Sequence, residues 1–309
     1  MTGVTRAPTP GHWRAIAPGP SLAAVQPLFE YQLELAGYRT RALELEGEGP
    51  PLILLHGYAD SADTWRLLLD RLGRTGRRAL ALDMPGFGAA AALDPGEPIL
   101  DQLGRFAAAA VEHTAPDGGA VVCGNSLGGC VALRLAERPE LALAGVVPVA
   151  PAGLDMAGWF AVIERDQVLR ALLAAPVPIP RGVLQRVVGQ VYGRLAFRRP
   201  GDVEPEVART FASHFSDRVA TGRLMATGRR LLPELRDCLN PEAIACPVLL
   251  VWGRQDVMVF QTGAERVLDA AADARLALIE DCGHCPQIEA PARMEELLLD
   301  FPGPLSRAA

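Results

Sequence analysis

Val121-Val122-Cys123-Gly124-Asn125-Ser126-Leu127-Gly128-Gly129 is the stretch that decides how this chain reads. An apolar run stops at Gly-x-Ser-x-Gly, and a helix-like segment follows over residues 131–137. A strand that turns at once into a helix forces its central residue into a strained backbone conformation. Glycines on either side remove the Cβ atoms that so tight a turn would drive together. The Ser126 hydroxyl is then left at the carboxyl edge of a sheet. The helix that starts there aims its free N–H groups and positive dipole end at any negative charge that develops nearby. These are the conditions a nucleophile needs.

A serine nucleophile needs a base, and the base needs an orienting acid. Residues 247–252 (PVLLVW) read as a buried strand and run into Gly253-Arg254-Gln255-Asp256. Residues 274–280 (ARLALIE) read as another strand, followed by Asp281-Cys282-Gly283-His284. Upstream, residues 51–55 (PLILL) lead to His56-Gly57-Tyr58. Ser126, Asp256 and His284 therefore each follow a strand, in the order Ser, Asp, His.

With these pieces in order, the chain resembles the α/β-hydrolase superfamily. The likeness is to its serine-nucleophile branch with an inserted helical cap, esterase- and lipase-like and related to carbon–carbon bond hydrolases. The matching stretches are LLHGYADSADTW (54–65), LDMPGFG (82–88), GNSLGG (124–129), WGRQD (252–256) and CGHCPQIEAP (282–291). The resemblance implies Ser126 as nucleophile, His284 as general base and Asp256 as the acid that holds the imidazole. It implies an oxyanion hole from the backbone N–H groups of Tyr58 and Leu127. Some members carry the acid after the preceding strand, which makes Asp155 the alternative. His56 and Asp83 fall where the family has structural turns. His12 and His113 have no supporting context, and His214 lies in the expected cap.

Apolar strands alternate with helical patterns along most of the chain, which predicts a mostly parallel eight-stranded sheet covered by helices on both faces. Residues 29–35 and 40–45 read as edge strands joined by a turn at Gly37. The alternation breaks over residues 154–235, where helical patterns (162–173, 183–195, 205–215, 224–235) and the Pro-rich APVPIP (175–180) occur without a buried strand. The expected organisation is an arm at 1–27, an α/β-hydrolase core at 28–153 and 236–309, and an all-helical cap at 154–235 inserted after the sixth core strand.

Of 309 residues, half are hydrophobic, so a substantial core is available. The net charge of −6 is mild and argues against a nucleic-acid surface. All 30 basic residues are Arg, which excludes Schiff-base and P-loop lysine chemistry. No run is long enough to span a membrane, and the N-terminal stretch lacks a signal peptide's apolar segment. A cytoplasmic protein with reduced thiols is expected. Cys282-Gly283-His284-Cys285 also matches a dithiol redox motif, but its place near the C-terminus before Pro286 argues against that use. No second ligand pair supports a metal there.

A serine at the elbow argues against the epoxide hydrolases and dehalogenases of this fold, which use Asp. The expected activity is carboxylic-ester hydrolysis through an acyl-enzyme, with no cofactor or metal and with a small-molecule ester as partner. Trp159 and Phe160, at the start of the cap, are candidate lining for an apolar acyl or aromatic group. A carbon–carbon bond hydrolase is the enzymatic alternative, because GNSLGG followed by APAG (150–153) resembles that subgroup. A ligand-binding protein on the same fold is the non-catalytic alternative.

Overall fold

The computed structural model describes residues 25–158, 190–201 and 218–301. Trp159, Phe160, His12, His214 and the helical patterns at 162–173 and 205–215 lie outside the described residues.

Eight strands form one sheet in the order β1-β2-β4-β3-β5-β6-β7-β8. They are β1 (Leu28–Leu35), β2 (Tyr38–Leu45), β3 (Glu48–Leu55), β4 (Arg77–Leu82), β5 (Val121–Asn125), β6 (Gly145–Val149), β7 (Val248–Gly253) and β8 (Ala274–Ile279). Only β2 runs against the rest: it is antiparallel to β1 and β4, and every other pairing is parallel. The β1–β2 hairpin turns at Ala36 and Gly37, with φ of 50° and 82°, the left-handed pair that a two-residue hairpin loop requires.

β5, β6 and β7 are buried along their whole length, as strands covered on both faces must be. Alternate side chains feed two separate cores. On one face Val122, Leu250 and Trp252 pack with Leu103 and Phe106 of α2 (Ile99–Thr114) and Val131 and Leu135 of α3 (Leu127–Ala136). On the other, Val121, Cys123 and Val251 pack with Leu68 and Leu72 of α1 (Arg66–Leu72) and with Met294 and Leu298 near the C-terminus. Between β3 and β4 the chain forms a 3₁₀ turn, Ala62–Trp65, that passes into α1.

From β6 the chain leaves the sheet and returns to it at β7. Within that excursion residues 190–196 are helical, and α4 (Arg218–Glu234) lies against α2. Glu234 receives the backbone N–H groups of Ile99 and Leu100, both at 2.9 Å, and so caps the open end of α2. Arg230 donates to the carbonyls of Asp94 and Glu97. After β7 come α5 (Glu265–Leu268), β8, α6 (Pro286–Glu289) and α7 (Pro291–Asp300).

Strand order places β3 beside both β4 and β5, with Leu55 opposite Gly124. The chain winds outward in both directions from this point, and a crevice opens outside the carboxyl ends of such strands. His56-Gly57-Tyr58 and Ser126 emerge there together.

Candidate active site

Ser126 has φ 53° and ψ −109°, a backbone conformation that costs of order 1–3 kcal/mol in an L-residue. The sheet holds it there. The Ser126 N–H donates to Val149 O at 2.8 Å, and its carbonyl accepts from Cys130 and Ala152, both at 3.0 Å. The flanking glycines are steric necessities. A Cβ at Gly124 would stand 2.2 Å from the Gly128 carbonyl oxygen, and one at Gly128 would stand 2.3 Å from that of Leu55. The side chain of Ser126 is half-buried and α3 begins at the next residue. Leu127 therefore presents its N–H ahead of the helix's own ladder. The backbone of the loop after β3 passes close by: a Cβ on Gly57 would come within 3.5 Å of Ser126 Cβ.

Asp256 and His284 meet in the interior. His284 Nδ1 lies 2.7 Å from Asp256 Oδ2, with side-chain exposures of 3% and 1%. The other carboxylate oxygen of Asp256 accepts the backbone N–H groups of Met258 at 2.7 Å and Val259 at 3.1 Å. With the carboxylate locked and Nδ1 committed to it as donor, Nε2 is the imidazole nitrogen left to accept a proton. Asp155, the alternative acid, is engaged elsewhere. Its carboxylate accepts from Thr262 and its carbonyl from Phe260 N, and the carboxylate in contact with His284 is that of Asp256.

The loop carrying His284 is tied on every side. Asn125, the residue before Ser126, donates its amide to the His284 carbonyl at 2.9 Å. The His284 N–H donates to Ala196 O at 2.7 Å, from the excursion between β6 and β7. Gln255 and Cys282 exchange two hydrogen bonds, at 3.0 and 3.1 Å, which couple the acid loop to the histidine loop. Glu289 accepts from Gly283 N at 2.9 Å and Arg198 N at 2.7 Å, and burial raises its carboxyl above the usual range. Of these partners, Asn125 stands inside a recognisable motif. Gln255 and Glu289 fall inside the WGRQD and CGHCPQIEAP stretches and act through side-chain oxygens, whereas Ala196 carries no sequence signal, because it acts through its backbone carbonyl.

Cys282 and Cys285 do not act as a pair. Cys282 points at Gly283 O and Glu289 and belongs to the core under α1, whereas Cys285 packs with Ala196 and Phe197 and lies near Tyr192. Burial pushes both thiols up. Among the described residues no cluster of His, Cys, Asp or Glu is arranged to hold a metal.

Tyr58 faces α4. Its ring packs edge-on against Phe87 with centroids 5.5 Å apart, and its hydroxyl donates to Leu224 O. His56 is structural: Nδ1 bonds Gly57 O at 2.7 Å while Nε2 accepts from Met84 N at 2.8 Å. Asp83 is fully buried and accepts from Ala62 N, Ala89 N and Arg41. His113 is exposed at the end of α2. Asp60 is buried two residues after Tyr58, a position that sequence reasoning passed over. Its carboxyl is pushed by burial up to about 7, against the hydrogen bonds from Ser61 and Thr64.

A family model described as the alpha/beta hydrolase family matches residues 52–297. The pimeloyl-acyl-carrier-protein methyl ester esterase of Nitrosomonas europaea is 31% identical over 264 residues, covering 81% of this chain and 94% of its own. The 2-hydroxy-6-oxo-6-(2'-aminophenyl)hexa-2,4-dienoic acid hydrolase of Metapseudomonas resinovorans is 29% identical over 280 residues, covering 88% of this chain and 89% of its own. The crystal structure of an alpha/beta hydrolase fold protein from Burkholderia ambifaria superimposes with a TM-score of 0.72 at 20% identity, over 89% of this chain and 99% of that one. Sheet order, the strained serine turn and these likenesses agree, and the chain belongs to the alpha/beta hydrolase family.

Proposed function

We propose that this chain is a serine hydrolase that cleaves carboxylic esters bearing an apolar acyl or aromatic group. The observation that carries the reading is the buried Asp256–His284 pair, 2.7 Å apart, on a loop bonded to the residue preceding Ser126. Ser126 Oγ attacks the ester carbonyl carbon while His284 Nε2 takes the hydroxyl proton. His284 then returns that proton to the departing alkoxide, leaving an acyl-enzyme. Water, deprotonated by the same nitrogen, releases the acid. Asp256 keeps the imidazole in the tautomer that presents Nε2. The N–H groups of Tyr58 and Leu127 stabilise the oxyanion, a contribution of about 2.7–4 kcal/mol per donor in serine hydrolases. The reading invokes no cofactor or metal.

Residues 154–235 are proposed as the cap over this site, with 28–153 and 236–309 as the core and 1–27 as an arm. Trp159 and Phe160 are proposed as apolar lining. The methyl ester esterase likeness supports ester cleavage. A second reading, carbon–carbon bond hydrolysis with the same residues, is favoured by the likeness to the hexadienoic acid hydrolase and by GNSLGG with APAG downstream.

A panel of p-nitrophenyl esters, from acetate to long acyl chains, tests the proposal on wild type and Ser126→Ala side by side. Turnover lost in the variant supports the esterase, and the chain-length optimum sizes the acyl site. No turnover on any ester, with cleavage of vinylogous ring-fission products instead, would replace the first reading by the second.

A further inference from the structure

Two cysteines outside the proposed chemistry face each other across the boundary between the sheet domain and the excursion. Cys130 lies one turn into α3, its N–H bonded to the carbonyl of Ser126 at 3.0 Å. Cys238 lies just beyond α4, on the segment that leads back toward β7. Their sulfurs are 3.5 Å apart, in thiol contact, although 108 residues separate them in sequence. Gly153 makes the approach possible: it holds φ +91°, and a Cβ there would stand 2.9 Å from Cys238 Sγ and 3.8 Å from Cys130 Sγ.

The two thiols differ in environment. Cys130 is fully buried, whereas Cys238 is half-buried and sits next to a cavity of about 430 Å³ lined by Gly153, Leu235, Asp237 and Arg266. The contact with Cys130 holds the Cys238 thiol below the ordinary cysteine value, and Arg134 acts the same way. The same contact, and then burial, push Cys130 up. Thiolate character and access together select the sulfur that reacts with an oxidant. Both favour Cys238, with Cys130 already placed as the resolving partner.

We propose that Cys130 and Cys238 form an oxidation site, at which a peroxide converts the thiol pair to a disulfide that staples the returning segment to the helix of Ser126. The Cys238 thiol releases its proton to water, its thiolate attacks the peroxide's hydroxyl oxygen, the O–O bond breaks, and the departing alkoxide takes up that proton and leaves as an alcohol (water, for hydrogen peroxide). This leaves a sulfenic acid on Cys238. The Cys130 sulfur, giving up its proton, attacks the Cys238 sulfur; the S–O bond breaks and the hydroxide leaves with that proton as water. Two thiols and one peroxide thus yield one disulfide, one alcohol and one water, and the sulfur pair supplies both electrons.

The test uses the full chain, reduced, exposed to hydrogen peroxide, and then alkylated in denaturant. The expected product is lighter by two hydrogens and carries four alkylatable thiols, two fewer than the six cysteines of the chain. A peptide map without reductant joins the Cys130 peptide to the Cys238 peptide, and dithiothreitol separates them. The cross-linked form melts about 5 °C higher than the reduced form, because the bond closes a long loop in the unfolded chain. Cys238→Ser takes no cross-link and shows no such shift. Six free thiols after oxidation, a different linked pair, sulfinic acid on Cys238 beside a free Cys130, or an unchanged melting point in the linked protein would each overturn the proposal. The wild-type peptide map decides without the variant.

Discussion

The turn at Ser126 and the loop at His284 bring chemistry to the same crevice by opposite means. The serine turn is built locally. Gly124, Ser126 and Gly128 lie within five residues, and the sterics of one strand, one turn and one helix produce the strained φ of 53°. The histidine loop is built from a distance. Asn125, Ala196 and Gln255 hold it, and the first of these is 159 residues away in sequence. The proposed nucleophile can thus be encoded as a motif, whereas its proposed base depends on the whole sheet being assembled first. Damage to the turn should act on the backbone fold, and damage to the loop ties should act on geometry and rate.

The largest effect expected is on chemistry itself. Ser126→Ala and His284→Ala should each lower kcat by roughly 10⁴-fold or more, and the double variant should be little worse than either, because the groups act as a unit. Additive losses in single-turnover assays would separate the two regions functionally. Asp256→Asn should fall in the same range by leaving the wrong tautomer.

Gly128→Ala tests the local region. Its methyl would meet the Leu55 carbonyl oxygen, an atom of β3 that cannot move aside without breaking the sheet. A loss of about 3 kcal/mol in urea unfolding is expected. A variant as stable as wild type would mean that the turn is softer than its contacts imply.

Asn125→Ala tests the distant region. It removes the amide that holds the His284 carbonyl and should lower kcat by about 10²-fold through misplacement of the imidazole. The melting point should move far less than in Gly128→Ala. Equal losses of stability in the two variants would erase the distinction between them.

The smallest effect concerns Asp60, buried in the loop after β3 whose Gly57 passes beside Ser126. The folded protein keeps its carboxyl proton up to about pH 7, while an ordinary aspartate releases it near 3.8. The unfolded chain therefore binds fewer protons within that window, and stability falls as pH rises through it. Asp60→Asn should be more stable than wild type at pH 8, by about 1 kcal/mol once the amide's own unpartnered donors are counted. The gain should vanish near pH 4. A constant difference across pH in chemical unfolding would refute the assignment.

Much of this protein is written in local pattern. Apolar runs such as PLILL and PVLLVW became buried strands because strands covered on both faces leave no polar side to alternate. Ser126 was legible because its turn needs glycines at fixed offsets, and Asp256 and His284 because each follows a strand end. Other features left no such trace. The choice of Asp256 over Asp155 depends on which loop reaches His284, and both aspartates follow strands. Tyr58 turned toward Leu224, Asp60 became buried, and Cys130 met Cys238 while Cys282 and Cys285 parted. Sequence by itself determined the strands, their order and the strained serine turn, because backbone sterics and hydrophobic periodicity act over a few residues. Tertiary structure alone decided which side chains share an environment, because hydrogen-bond partners and burial depend on strand order and on segments a hundred residues apart.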